Sequence, residues 1–125
     1  MNNRPKTILC DIDGTLCYHK IPTHNTKPEP LEVLPGTLEK LSQWDAEGYN
    51  IILITGRRES MRKSTEQQLA DAGIFYDQLI MGVGGGVRIL INDNKPDGDI
   101  AALSINLERN TGIGNLDVEK LLHTL

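Results

Sequence analysis

The chain has 125 residues, enough for one core of ordinary size but not for a core plus a second sizeable domain. Asp and Glu number 17 against 13 Lys and Arg, and the resulting net charge of -4 offers no general attraction to nucleic acid or to an anionic membrane. No apolar stretch approaches the length of a membrane span and no secretory leader is recognisable, so the expected setting is the cytoplasm.

Thr7 to Cys10 reads as a buried strand, and it opens directly onto Asp11-Ile12-Asp13-Gly14-Thr15. Residues alternate sides along an extended chain, but a strand's end turns, and Gly14 permits that turn while both acids aim into one pocket. Leu16 to Leu34 follows, where Pro22, Pro28 and Pro30 argue against regular structure. It reads as a flap-like loop in which His19, Lys20, His24 and Lys27 could touch a phosphate or sugar; an ordinary solvated surface loop is the plain alternative. Cys10 fits a buried strand position and Cys17 a small apolar one. A disulfide between them would strain the loop, and a thiol nucleophile at Cys17 has no obvious His partner.

A helix is predicted from about Pro35-Gly36-Thr37, with Leu38, Leu41 and Trp44 on one face and Gly48 as its stop. A second strand, Tyr49 to Thr55, ends on Thr55-Gly56-Arg57-Arg58, and a second helix, Ser60 to Ala72, ends on Gly73. Gln78 to Met81 reads as a short third strand. Gly82 to Gly86 then reads as a flexible turn, because no Gly-Lys-Ser or Gly-Lys-Thr follows it. A fourth strand, Arg88 to Asn92, ends on Asp93-Asn94-Lys95, and a fifth is expected near Ala101 to Leu107. Asn115 to Leu125 closes the chain as a helix with Leu116, Leu121 and Leu122 inward and His123 on the surface.

Strands alternating with helices predict a three-layer, Rossmann-like α/β fold with a central, mostly parallel five-stranded sheet and no folded cap. In such sheets ligands bind beyond the carboxyl ends of the strands, where three polar clusters would converge. Two carboxylates one residue apart can divide the work of phosphoryl transfer, one attacking phosphorus and the other exchanging a proton. Gly56, Arg57 and Arg58 sit where a helix start also favours anions, and they are taken as substrate binders; Arg62 and Lys63 read as a solvated helix face. The plain counter-reading of the first cluster is an Asp-Gly turn with solvated acids.

On these motifs the chain resembles the haloacid dehalogenase-like superfamily, in its phosphatase branch, from about Ile8 to Ile105. Its length and layout are similar to those of small uncapped phosphatases of capsule and surface-polysaccharide synthesis. The resemblance implies Asp11 as nucleophile, Asp13 as general acid and base, and Thr55 as a hydrogen-bond donor to the phosphoryl group. It also implies magnesium held by Asp11, the backbone carbonyl of Asp13 and Asp93, with Asp97 as a further acid of that motif. Oxygen ligands and retained waters are what magnesium takes, and its charge would offset the repulsion between Asp11 and an anionic substrate. The Lys that the family places before the fourth strand is missing from Met81 to Val87, and Asn92 stands where an acid is common. Arg88 and Lys95 are the candidates to supply that cation; Lys95, at the strand's carboxyl end, is preferred over Arg88 at its far end.

The expected activity is therefore a magnesium-dependent phosphatase acting through an aspartyl phosphate on a phosphorylated sugar or similar small metabolite. Two alternatives stay open. One is a non-catalytic metal- and phosphate-binding module, given the weakened third motif. The other is a polynucleotide 3'-phosphatase, since Thr55 to Glu59 with Arg62, Thr65 and Leu69 is similar to that segment of such domains. The acidic balance and the lack of interleaved aromatics argue against the nucleic-acid option. A homo-oligomer is implied by resemblance to small uncapped relatives.

Overall fold

A computed structural model describes residues 4–20 and 29–124. In chain order it contains β1 (Thr7–Asp11), α1 (Thr37–Ala46), β2 (Asn50–Ile54), a 3-10 turn (Glu59–Met61), α2 (Arg62–Asp71), β3 (Gln78–Ile80) and α3 (Val118–His123). The strands form one sheet in the order β1-β2-β3 with both pairings parallel. Parallel neighbours need a crossover, and α1 and α2 supply the two that are required. Asp11 lies opposite Ile54, and Ile54 opposite Ile80, so the three carboxyl ends finish level with one another.

Apolar periodicity explains most of this. In β2, Ile51 and Leu53 are buried while Ile52 and Ile54 on the opposite face are half-covered, as suits a strand between two neighbours. Leu41 and Trp44 of α1, three residues apart, and Leu69 of α2 join the same core. Leu38 departs from the expected inward face, being 37% exposed. The second helix begins two residues later than Ser60 because Glu59–Met61 closes as a 3-10 turn, with the Arg62 guanidinium on the Glu59 carboxylate at 2.6 Å. Gly48 and Gly73, both at positive φ, follow α1 and α2 where stops were expected. At the chain end, Asp117 caps α3 by accepting from the Lys120 N–H at 3.0 Å. Leu116 packs on the core, whereas Leu121 and Leu122 are only half-buried.

The sheet has three strands among the described residues, against the five expected. Arg88 to Asn92 and Ala101 to Leu107 enter no ladder. β-branched composition favours an extended backbone, but a strand also needs a neighbour and a covering layer. Val87 and Ile91 have neither, at 92% and 87% exposure. The flap-like segment is tied at its base, where Tyr18 N–H donates to Glu32 C=O at 2.9 Å and Leu34 N–H to Leu16 C=O at 3.0 Å. Pro22, His24, Lys27 and Pro28 lie outside the described residues. No helix of the described residues is long and apolar enough to cross a membrane.

Candidate active site

Beyond the level carboxyl ends of the strands lies an open cavity of about 350 Å³. The loop after β1 contributes Asp11, Asp13 and His19, the loop after β2 contributes Thr55, Gly56 and Arg57, and the run after β3 contributes Gly84, Gly85, Gly86 and Arg88. Arg109 completes the lining from far along the chain. The sheet thus converges three loops, as expected, but the third is the glycine run after β3 and not the end of a fourth strand. That run is tied down where it begins: Gly82 N–H donates to Arg57 C=O at 2.7 Å and Val83 N–H to Thr55 C=O at 2.9 Å.

The loop after β1 is a tight turn built on Ile12, whose carbonyl accepts from the Leu16 N–H at 2.9 Å. Gly14 sits at φ 88, a left-handed conformation that costs glycine nothing, and its N–H donates to Cys17 C=O at 2.8 Å. Ile12 is fully buried, so Asp11 and Asp13 on either side of it are both left on the cavity. Asp11 Oδ2 accepts from the Thr15 hydroxyl at 3.3 Å, and Oδ1 faces Arg88 Nη1 at 3.4 Å. Asp13 is gripped from both sides, with Arg57 Nε donating to Oδ2 at 3.0 Å and Nη2 to Oδ1 at 2.9 Å.

Arg57 is itself fixed, since Nη1 also donates to Thr65 Oγ1 at 3.1 Å and to Gln68 Oε1 at 2.6 Å. Its hydrogen bonds to Asp13 raise the guanidinium above its ordinary range, against the opposing effect of burial. The Thr55 side chain is almost fully buried, and its hydroxyl oxygen accepts from the Arg57 N–H at 3.1 Å. That leaves the hydroxyl proton free to point at a ligand. The Cys17 thiol is pushed up to about 12, first by burial and then by the charge of Asp13, and a protonated thiol is no nucleophile at neutral pH.

Asp11, Asp13, Thr55, Gly56 and Arg57 are brought together on the cavity; Arg58, Asp93 and Lys95 do not line it. Arg58 and Asp93 are exposed, and Lys95 is engaged in a turn, its N–H on Asp99 C=O at 2.9 Å. Arg88, the less favoured cation in the sequence, is the one that reaches Asp11. Arg88 starts an apolar run, but without a ladder that run does not carry it to the far end of the sheet. Arg109 was missed altogether. Its signal was a basic residue just past an expected strand and before Asn110-Thr111-Gly112, which reads as a turn.

Among the described residues no three His, Cys, Asp or Glu side chains are grouped to hold a metal. Magnesium, however, needs only one or two carboxylates when substrate oxygens and waters fill the remaining positions. The all-oxygen donors of Asp11 and Asp13 fit it in kind, while Asp93 stands apart from them.

Comparison with known proteins gives a consistent picture. Residues 8–93 match the family model described as PITM 1-3, LNS2 domain. A chain in the Pnkp1/Rnl/Hen1 complex is 30% identical, with a TM-score of 0.56 over 75% of this chain and 32% of that one. A chain from the Pnkp1/Rnl/Hen1 RNA repair complex is likewise 30% identical, with a TM-score of 0.54 over 74% and 28%. This sequence therefore spans about a third of those chains. A structural-genomics target from Vibrio cholerae shares the fold over almost its whole length, with a TM-score of 0.56, 18% identity and coverage of 95% and 94%. No curated protein matches the sequence.

Proposed function

Since the chain belongs to the LNS2 domain family, whose fold is haloacid dehalogenase-like, we propose that it is a phosphoric monoester hydrolase working through an aspartyl phosphate on Asp11. The observation that carries this reading is the position of Asp11. It ends β1 opposite Ile54, the residue before Thr55, on an open cavity that Thr55 also lines, with a guanidinium at 3.4 Å. A carboxylate so placed can approach a phosphorus atom whose oxygens are met by the Thr55 hydroxyl and by arginine.

In this reading an Asp11 oxygen attacks phosphorus, the ester oxygen departs with a proton from Asp13, and a water then cleaves the acyl phosphate after losing its proton to Asp13. Arg57 orients Asp13 for both transfers. A magnesium ion on Asp11 and the Asp13 carbonyl would supply charge neutralisation between nucleophile and substrate. A sugar phosphate or similar small metabolite is the proposed substrate class, supported by a lining without Phe, Tyr or Trp among the described residues and by the acidic chain.

The test is phosphate release from sugar phosphates, an aryl phosphate and 3'-phosphorylated oligonucleotides, with magnesium and with chelator, for the parent and for Asp11→Asn. Release by the parent and a loss of about a thousandfold or more in the variant is expected for removal of a nucleophile. Silence across the panel from a folded parent would favour the non-catalytic phosphate-binding module. The polynucleotide reading is favoured by one observation, the 30% identity to the Pnkp1 chains, and release confined to the oligonucleotides would establish it.

A further inference from the structure

We infer that Arg109 is a substrate-binding residue, holding non-bridging oxygens of the phosphoryl group above Asp11; this rests on the phosphatase reading of the cavity. Arg109 follows the last expected strand and belongs to none of the recognised motifs. It is nevertheless built into the cavity. Its stem lies across the catalytic turn, where a Cβ added at Gly14 would meet Arg109 Cγ at 3.1 Å and Cδ at 3.8 Å. Two hydrogen bonds clamp the neighbouring residue to the same turn: Asn110 N–H donates to Gly14 C=O at 2.8 Å, and Asn110 Oδ1 accepts from the His19 N–H at 2.8 Å.

Asn110 adopts φ 66, the only non-glycine residue at positive φ among those described. That conformation costs an ordinary residue roughly 1 kcal/mol, and asparagine tolerates it best. The fold therefore anchors the residue next to an exposed arginine by two hydrogen bonds to the segment that follows β1, and lays the arginine's stem against Gly14. Yet its guanidinium has no hydrogen-bond or ion-pair partner among the described residues. The other two arginines are engaged, Arg57 by Asp13 and Arg88 by Asp11. Of the three cavity arginines, Arg109 is thus the one whose guanidinium has no partner among the described residues, and its planar fork suits the paired oxygens of a phosphoryl group.

The experiment measures inorganic phosphate binding by titration calorimetry, and KM and kcat on an aryl phosphate, for the parent, Arg109→Ala and Arg109→Lys. Losing a charged hydrogen bond to the anion should weaken phosphate binding about ten- to hundredfold in Arg109→Ala, with a matching rise in KM. Arg109→Lys should recover part of it, keeping the charge but not the fork. Unchanged phosphate affinity in a folded Arg109→Ala overturns the inference. So does a raised KM with phosphate affinity intact, because the side chain would then be touching the leaving group. A parent that binds phosphate but turns nothing over refutes the phosphatase reading alone, and the binding arm still decides Arg109.

Discussion

Asp13 and Arg57 form the most heavily bonded pair in the cavity, with side chains only 29% and 16% exposed. Four hydrogen bonds engage Arg57, leaving one of the five N–H donors of a guanidinium for anything else. That accounting assigns it to orienting Asp13 more than to gripping substrate. Arg57→Ala should lower kcat on an aryl phosphate by tenfold or more while KM changes little; a rise in KM at constant kcat would return Arg57 to substrate binding. The same variant strands the Asp13 carboxylate, Thr65 and Gln68, and should cost about 1–3 kcal/mol in chemical denaturation. The sequence showed that both residues stand at strand ends facing a common site. It could not show that they pair, since Arg57 and Asp13 are 44 positions apart and the pairing depends on the β1-β2 register.

At the level of elements, the glycine with least room for a side chain among those described lies at the start of α1. Its N-cap is Gly36 at φ 85, with no side chain to bond the first amides. A Cβ added there would come within 2.7 Å of Gly114 Cα. Backbone against backbone leaves nothing flexible to move aside, and the positive φ adds its own penalty. Gly36→Ala should therefore destabilise the fold by about 2 kcal/mol or more, read as a lower denaturant midpoint at unchanged m. An unchanged midpoint would mean that the segment carrying Gly114 does not pack on α1 in solution. Pro35-Gly36-Thr37 was readable as a helix start from its residue types alone. The need for glycine at both contact points was not, because the partner comes from residue 114 and no local pattern announces it. The three strands of the sheet were legible for the opposite reason, being short apolar runs bounded by turn residues. The run Val87 to Ile91 carried the same signal, and its exposure shows that composition specifies a strand only where the fold supplies an edge and a cover.

For the molecule as a whole, charge separates the salt responses expected of a small and of a polymeric substrate. The chain is acidic at net -4, whereas the cavity gathers Arg57, Arg88 and Arg109 around two carboxylates. A compact anion entering the cavity meets that local excess of arginine. A polyanion must also run past a chain whose net charge is -4, where charges within a screening distance of about 10 Å at 0.1 M salt act on each further phosphate. The two substrate classes should therefore respond differently to salt. A protein that grips a single strand through several phosphates loses affinity steeply, with a log-log slope of about -0.7 per phosphate contacted. One phosphoryl group held at a fixed site gives a slope of roughly one contact or less. With kcat/KM measured between 50 and 300 mM salt, a sugar or aryl phosphate should show the shallow dependence, and a 3'-phosphorylated oligonucleotide should be the poorer substrate throughout. An oligonucleotide that is the better substrate at low salt, with activity collapsing as salt rises, would show that a basic track outside the cavity engages the strand. The RNA-repair likeness would then describe this protein's substrate as well as its shape.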